Sequence, residues 1–208
     1  MLDALQPFFA AAFTLWGAPV TWLEIVAFLL AVAMVVFNIR VNPVAWPLAM
    51  ASSLLYFALF WNSRLYGEAN LQLLFIAVAG WGWWQWLAGR AADGTPLHVH
   101  SLTPRGRWNA LLALAVTWPL IGLFLRRFTD TDVPWWDAFP TAGSIVGQWL
   151  LGRKYVENWP AWIVVNVVSV GLFAYKGLWL TVLLYALFAA MAAGGWRAWR
   201  RLAAQGSP

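Results

Sequence analysis

Two amides, Gln148 and Asn166, stand inside strongly apolar stretches with no charge beside them. In a lipid environment each must find a hydrogen-bonding partner, either a neighbouring helix or a polar ligand. The spacing of Trp159, Trp162, Asn166, Ser169 and Phe173 puts rings and amide on one helical face. Thr141, Ser144 and Gln148 make a similar stripe just before it, Thr181 and Tyr185 just after it, and Glu68, Gln72 and Phe75 earlier in the chain. Rings flanking amides suit a flat, cationic ring, through stacking and cation–π attraction. The candidate substrate-binding residues are therefore Gln72, Ser144, Gln148, Trp159, Trp162, Asn166, Thr181 and Tyr185. For Trp159 and Trp162 the alternative is packing against another helix.

Other chemistries lack their residues. None of the eight acids (Asp3, Glu24, Glu68, Asp93, Asp130, Asp132, Asp137 and Glu157) falls in the middle of an apolar stretch. Carriers coupled to protons or sodium bury a carboxylate at depth, so such coupling is not expected. Glu24, Glu68, Asp137 and Glu157 stand near stretch starts, where a helix N-terminus favours negative charge. His98 and His100 lie in a polar loop without a thiol or acid to complete a metal site. There is no cysteine and no GxxxxGK[ST] loop, and Ser52, Ser53 and Ser144 have no histidine at depth to activate them. An enzyme acting on lipid would need acids or histidines clustered near one membrane surface, and here they are scattered. Neither cofactor nor metal is expected.

The elements that must hold these residues are membrane helices. Of 208 residues 62% are apolar and 10% charged, too few charges to cover a globular surface in water. Seven apolar stretches run at about 21–39, 44–61, 67–88, 107–125, 136–151, 159–175 and 178–198. The run Phe8 to Trp16 is too short to span and carries no preceding basic residue, so it reads as an interfacial helix. The thirteen basic residues sit between apolar stretches, which points to loops placed by membrane charge rather than to a nucleic-acid groove.

The chain matches itself at an offset of 113 residues. The shift pairs Trp22/Trp135, Glu24/Asp137, Arg40/Arg153, Trp46/Trp159, Pro47/Pro160, Phe60/Phe173 and Leu65/Leu178, then Phe75/Phe188, Gly82/Gly195, Trp83/Trp196 and Trp86/Trp199. One offset without a gap means duplication. Four crossings separate equivalent points, so the copies are co-oriented, related by an axis along the membrane normal. The expected fold is an all-α membrane protein with seven transmembrane helices, two parallel three-helix repeats joined by a linker helix (3+1+3). Its parts are an N-terminal interfacial segment (1–20), a first repeat (21–88), a cytoplasmic loop (89–106), a linker helix (107–130), a second repeat (131–200) and a tail (201–208). Arg64, Arg126, Arg127 and Lys176 fall on one side and the other basic residues on the opposite one, which places the C-terminus inside and the N-terminus outside. The polar residues are richer in the second half: Gln148, Asn166 and Ser144 match Val35, Ser53 and Ala31, while Tyr185 matches Gln72.

The run Arg153-Lys154-Tyr155-Val156-Glu157-Asn158-Trp159-Pro160-Ala161-Trp162 resembles the PnuC family of bacterial nicotinamide riboside transporters. So do Trp22-Leu23-Glu24, the run Trp81 to Trp86, and Tyr175-Lys176-Gly177-Leu178. The resemblance covers about Trp22 to Trp199. It implies a 3+1+3 architecture related to the SWEET sugar transporters, a homotrimer in the bacterial inner membrane, and vitamin uptake by facilitated diffusion. A cytoplasmic kinase would trap the vitamin. Nicotinamide riboside carries a pyridinium cation for an aromatic cage, and its ribose needs partners such as Gln148 and Asn166. Two positions depart from the pattern: Val44-Ala45-Trp46-Pro47 stands where riboside carriers often have Trp-Asn-Trp-Pro, and Asn166 where many relatives have aspartate. Related members look like carriers of thiamin or riboflavin, which remain the alternatives. Rocking of the repeats around Pro47 and Pro160 is the expected gating motion.

Overall fold

The computed structural model describes residues 8–15, 17–62, 66–90, 94–129, 131–175 and 179–205. Within them lie two strands, β1 (Ala11–Leu15) and β2 (Ala18–Thr21), and seven helices. The helices are α1 (Trp22–Ile39), α2 (Ala45–Asn62), α3 (Tyr66–Ala88), α4 (Pro104–Phe128), α5 (Pro134–Gly152), α6 (Asn158–Tyr175) and α7 (Trp179–Gln205). They overlie the seven apolar stretches. Arg64, Lys176, the Leu65/Leu178 pair and the side chains of Phe60 and Glu68 lie outside the described residues.

Two helix ends differ from expectation. α4 starts at Pro104 rather than at 107, because Thr103 caps it by accepting from the Gly106 amide at 3.1 Å. Pro104 fills the first helical position, where a missing N–H costs nothing. α7 continues to Gln205 rather than stopping near 198. Hydropathy marks where lipid ends, whereas helical hydrogen bonding runs on into water.

The N-terminal expectation is corrected. Strands β1 and β2 pair antiparallel rather than forming a helix, with Ala11 opposite Thr21 and Leu15 opposite Ala18. Gly17 turns the chain at φ 84, a conformation cheap only for glycine, and Phe13, Thr14, Val20 and Thr21 are good strand formers.

Among the described residues, four helices are long and apolar enough to cross a membrane: Trp22–Ile39, Pro104–Phe128, Asn158–Tyr175 and Thr181–Gln205. α2 adds a shorter apolar segment, Ala45–Leu59. α3 and α5 are diluted by residues such as Gln72, Gln85, Asp137 and Gln148, as suits helices that pack or line a cavity rather than face lipid. α4 presents the opposite surface. Trp108 is 72% exposed, and Leu111, Leu112, Leu120, Leu123 and Phe124 are more than half exposed, an apolar face that water would not tolerate uncovered.

The chain divides after Leu87 into two compact units. In the first, α1 packs on α2, and the Ser52 hydroxyl ties them by donating to the Ala27 carbonyl at 3.0 Å. α2 meets α3 where the Trp46 indole lies on Gly82, so close that an added Cβ there would sit 2.2 Å from the ring. Trp86 meets the same indole edge-on at 5.4 Å. In the second unit α4 packs on α5, α5 on α6, and α6 on α7. Trp159 lies on Gly195, where a Cβ would sit 2.6 Å from the ring, and meets Trp199 edge-on at 5.5 Å.

The turns match as closely. α1 ends with Val41 N–H donating to Asn38 O and Asn42 N–H to Phe37 O; α5 ends with Lys154 N–H donating to Leu151 O and Tyr155 N–H to Leu150 O. Both are Schellman motifs, and the left-handed residue each requires is Val41 (φ 54) in one and Lys154 (φ 58) in the other, not glycine. Pro47 and Pro160 both stand third in their helices, where the lost N–H belongs to the unpaired first turn, so neither bends its helix. The prolines inside helices are Pro119 and Pro140.

Candidate functional site

The α5–α6 seam is set by two glycines. A Cβ at Gly143 would lie 2.4 Å from the Val165 side chain, and one at Gly147 would lie 3.2 Å from the Trp162 indole. Without side chains there, α6 comes close enough for Trp162 to rest on the backbone of α5, one residue before Gln148. Trp162 and Gln148 are both half-buried. The Gln148 Oε1 atom is fully shielded and accepts no hydrogen bond among the described residues. Ser144 sits half-buried one turn earlier.

Down α6, Asn166 and Ser169 are buried, and the Ser169 hydroxyl also has no partner among the described residues. An unmet buried polar group costs about 1–3 kcal/mol, so these atoms favour a polar guest able to satisfy them. Phe173 closes this column against Tyr185 of α7, ring centres 5.0 Å apart. Thr181 stands half-buried one turn before Tyr185.

The two α6 tryptophans, expected to share one face, part company. Trp162 turns to α5, whereas Trp159 turns to α7 and is 3% exposed. Because Trp46 makes the same contacts in the first unit, the Trp159 ring packs between helices, although its indole N–H, like that of Trp46, is buried without a partner among the described residues. Gln72 belongs to α3 of the first unit and is half-buried. The second unit thus brings together Ser144, Gln148, Trp162 and Asn166 on the α5–α6 pair, with Thr181 and Tyr185 on α7.

The acids near helix starts take different partners. Glu24 completes a capping box, accepting from Thr21 N–H at 3.4 Å while Thr21 accepts from Glu24 N–H at 3.2 Å. Asp137 accepts from the Thr131 hydroxyl. Glu157 departs from the expected contact with its own helix. Its carboxylate accepts from Leu102 N–H at 2.9 Å and from Arg107 Nε at 3.0 Å, so it is spent on the loop before α4 and on α4 itself.

That loop is held by the Arg153–Glu157 run, a role the sequence reading missed. Lys154 Nζ donates to Leu97 O at 2.9 Å, and Arg153 donates to Arg90 O at 3.4 Å. His100 and residues 154–156 pair backbone to backbone, and the His100 ring lies 4.5 Å from Tyr155. Leu97, Val99 and Leu102 are buried beneath. Burial holds the Lys154 ammonium below the ordinary lysine value, since desolvation disfavours its charge. One signal was available: the matched first-half positions carry Val41 and Val44, and a charge present in one copy alone must serve something present only once.

A family profile described as nicotinamide mononucleotide transporter matches residues 21–201. The riboflavin/roseoflavin transporter RibM of Streptomyces davaonensis is 31% identical over 191 residues, covering 90% of this chain and 89% of its own. The nicotinamide riboside transporter PnuC of Escherichia coli is 30% identical over 176 residues, covering 70% of this chain and 71% of its own. A crystal structure of the vitamin B3 transporter PnuC superimposes with a TM-score of 0.73 at 26% identity, covering 89% of this chain and 83% of its own.

Proposed function

Because this chain belongs to the nicotinamide mononucleotide transporter family, whose members are multi-pass membrane carriers and not enzymes, we propose that it takes up nicotinamide riboside by facilitated diffusion. The α5–α6 seam carries this reading: a Trp162 wall beside Gln148, Asn166 and Ser169, with two shielded oxygens that have no partner among the described residues. An aromatic wall attracts a pyridinium face, and amides and hydroxyls suit ribose. The sequence places no carboxylate at membrane depth, which favours passive movement over ion coupling. Net uptake then follows the outside concentration, and a cytoplasmic kinase that phosphorylates the vitamin keeps it inside.

The architecture under this reading is 3+1+3, two co-oriented three-helix repeats around α4, in an inner-membrane homotrimer with the C-terminus inside. The matched Schellman turns and matched Trp–Gly–Trp contacts support two equivalent bundles. Gating is rocking of one bundle against the other, with the α1–α2 and α5–α6 turns as pivots; Pro47 and Pro160 start the helices that move.

One observation favours a second reading, riboflavin. The riboflavin/roseoflavin carrier aligns over 90% of this chain and the riboside carrier over 70%. Proteoliposome uptake of labelled nicotinamide riboside, riboflavin and thiamin separates these readings. Saturable entry of the riboside that stops at the outside concentration supports the first; entry of riboflavin alone replaces it. Accumulation above the outside level without a kinase overturns passive transport for any of them.

A further inference from the structure

Away from the α5–α6 seam, two shallow grooves of about 410 Å³ each flank Arg200 near the end of α7. One runs along His98, His100 and Ser101; the other passes Arg107, Glu157 and Trp196; Ser101 and Arg200 border both. Among the described residues the one carboxylate lining them is that of Glu157, and both its oxygens are engaged by Leu102 N–H and Arg107. Arg200 makes no ion pair among the described residues and is held 5.7 Å over the Trp196 ring. Beside Ser101 and Arg107 begins α4, whose N-terminal dipole adds partial positive charge. Positive charge and hydrogen-bond donors therefore exceed what the protein itself can neutralise there.

We propose that the two grooves form one binding site for a phosphate-bearing anion, its oxygens shared between Arg200 and Ser101, with Arg107 and the two histidines alongside. Guanidinium groups take phosphate in paired, charge-assisted hydrogen bonds, and an open groove suits a charged group better than a ring. A soluble phosphate monoester and the phosphate of an anionic lipid headgroup present the same chemistry. In the orientation proposed above, on which this clause rests, the site faces the cytoplasm, where both occur.

The test uses the purified full-length chain in detergent with two probes. Ribose 5-phosphate binding is followed by calorimetry, and retention of phosphatidylglycerol against phosphatidylcholine by native mass spectrometry. Saturable ribose 5-phosphate binding that falls at least tenfold in Arg200→Gln and a fewfold in Ser101→Ala assigns the site to soluble esters. Selective phosphatidylglycerol retention lost in Arg200→Gln, without ester binding, assigns it to the headgroup. Arg200→Lys keeps the charge but loses the paired fork, so it retains only part of either response, more than Arg200→Gln does. Vitamin affinity in the same samples stays unchanged in Arg200→Gln, so failure of the transport reading is seen separately. The proposal is overturned if the parent chain binds neither probe, if Arg200→Gln binds as the parent does, or if Arg40→Gln weakens binding equally.

Discussion

The α1–α2 turn and the α5–α6 turn share their backbone hydrogen bonds one for one, yet their side chains differ sharply. Val41, Val44, Ala45, Ala49 and Ser53 stand where Lys154, Glu157, Asn158, Trp162 and Asn166 stand 113 residues later. Backbone geometry and the Trp–Gly–Trp contact are common to both, whereas Lys154, Glu157 and the amides of Asn158 and Asn166 have no charged or amide counterpart at the matched first-half positions. A duplicated scaffold thus needs its packing residues twice but its loop contacts once. The loop between α3 and α4 exists once, and so does the Lys154 and Glu157 equipment that holds it.

The largest effects should come from the shared packing, and they should be equal in the two halves. Gly82→Ala and Gly195→Ala each drive a methyl group into a buried indole, with Cβ contacts of 2.2 and 2.6 Å. Overpacking of this kind costs about 1–3 kcal/mol. Thermal unfolding in detergent should lower both melting temperatures by several degrees. A loss in one half alone would break the equivalence of the two bundles.

Next come the polar residues, where the halves should differ. Trp162→Ala and Asn166→Ala should each weaken vitamin binding about tenfold, which equals about 1.4 kcal/mol. The matched Ala49→Gly and Ser53→Ala should leave affinity within a factor of two. Calorimetry on the purified carrier measures all four. If the first-half changes are as damaging, the site is not asymmetric; if Trp162→Ala is silent, that ring only packs on Gly147.

Glu157 offers a smaller contrast. Glu157→Ala leaves the Leu102 N–H unmet and frees Arg107; because Arg107 is largely exposed, the ion pair itself contributes little. The expected cost is about 1 kcal/mol, from the lost charged hydrogen bond. Limited proteolysis between Leu97 and Thr103 should speed up, while the matched Val44→Ala should leave the rate unchanged. An unchanged rate in Glu157→Ala would mean that the buried leucines alone hold the loop.

Helix positions were legible because each follows from a local apolar run, and the matching of Trp46 with Trp159 followed from one offset. The pairing of β1 with β2 was not, since Phe8 to Trp16 has the composition of a short helix and only Gly17 and Pro19 mark a turn. Of the site, the polarity of Gln148 and Asn166 could be read directly. The divergence of Trp159 and Trp162 could not, because it depends on Gly195 and Gly147, which lie on different neighbouring helices. Nor could the role of Lys154, whose partner is a backbone carbonyl carrying no side-chain signal.

The finest contrast lies in the two left-handed residues, and it differs in sign. Val41 is β-branched at φ 54, a conformation that crowds its Cβ against the backbone, and none of its described hydrogen bonds uses the side chain. Val41→Gly relieves that crowding but frees the unfolded chain, so the net gain should be about 0.5 kcal/mol. Lys154→Gly relieves similar strain but gives up the Nζ bond to Leu97 O, worth about 1 kcal/mol when partly buried. That exchange should come out near zero or unfavourable. Unfolding curves for both variants therefore test whether the turn is under backbone strain in each half and whether only the second half offsets it with a side-chain bond. A gain of equal size in both would show the Lys154 contact to be worthless, and a loss in both would show that valine and lysine fit the left-handed turn without strain.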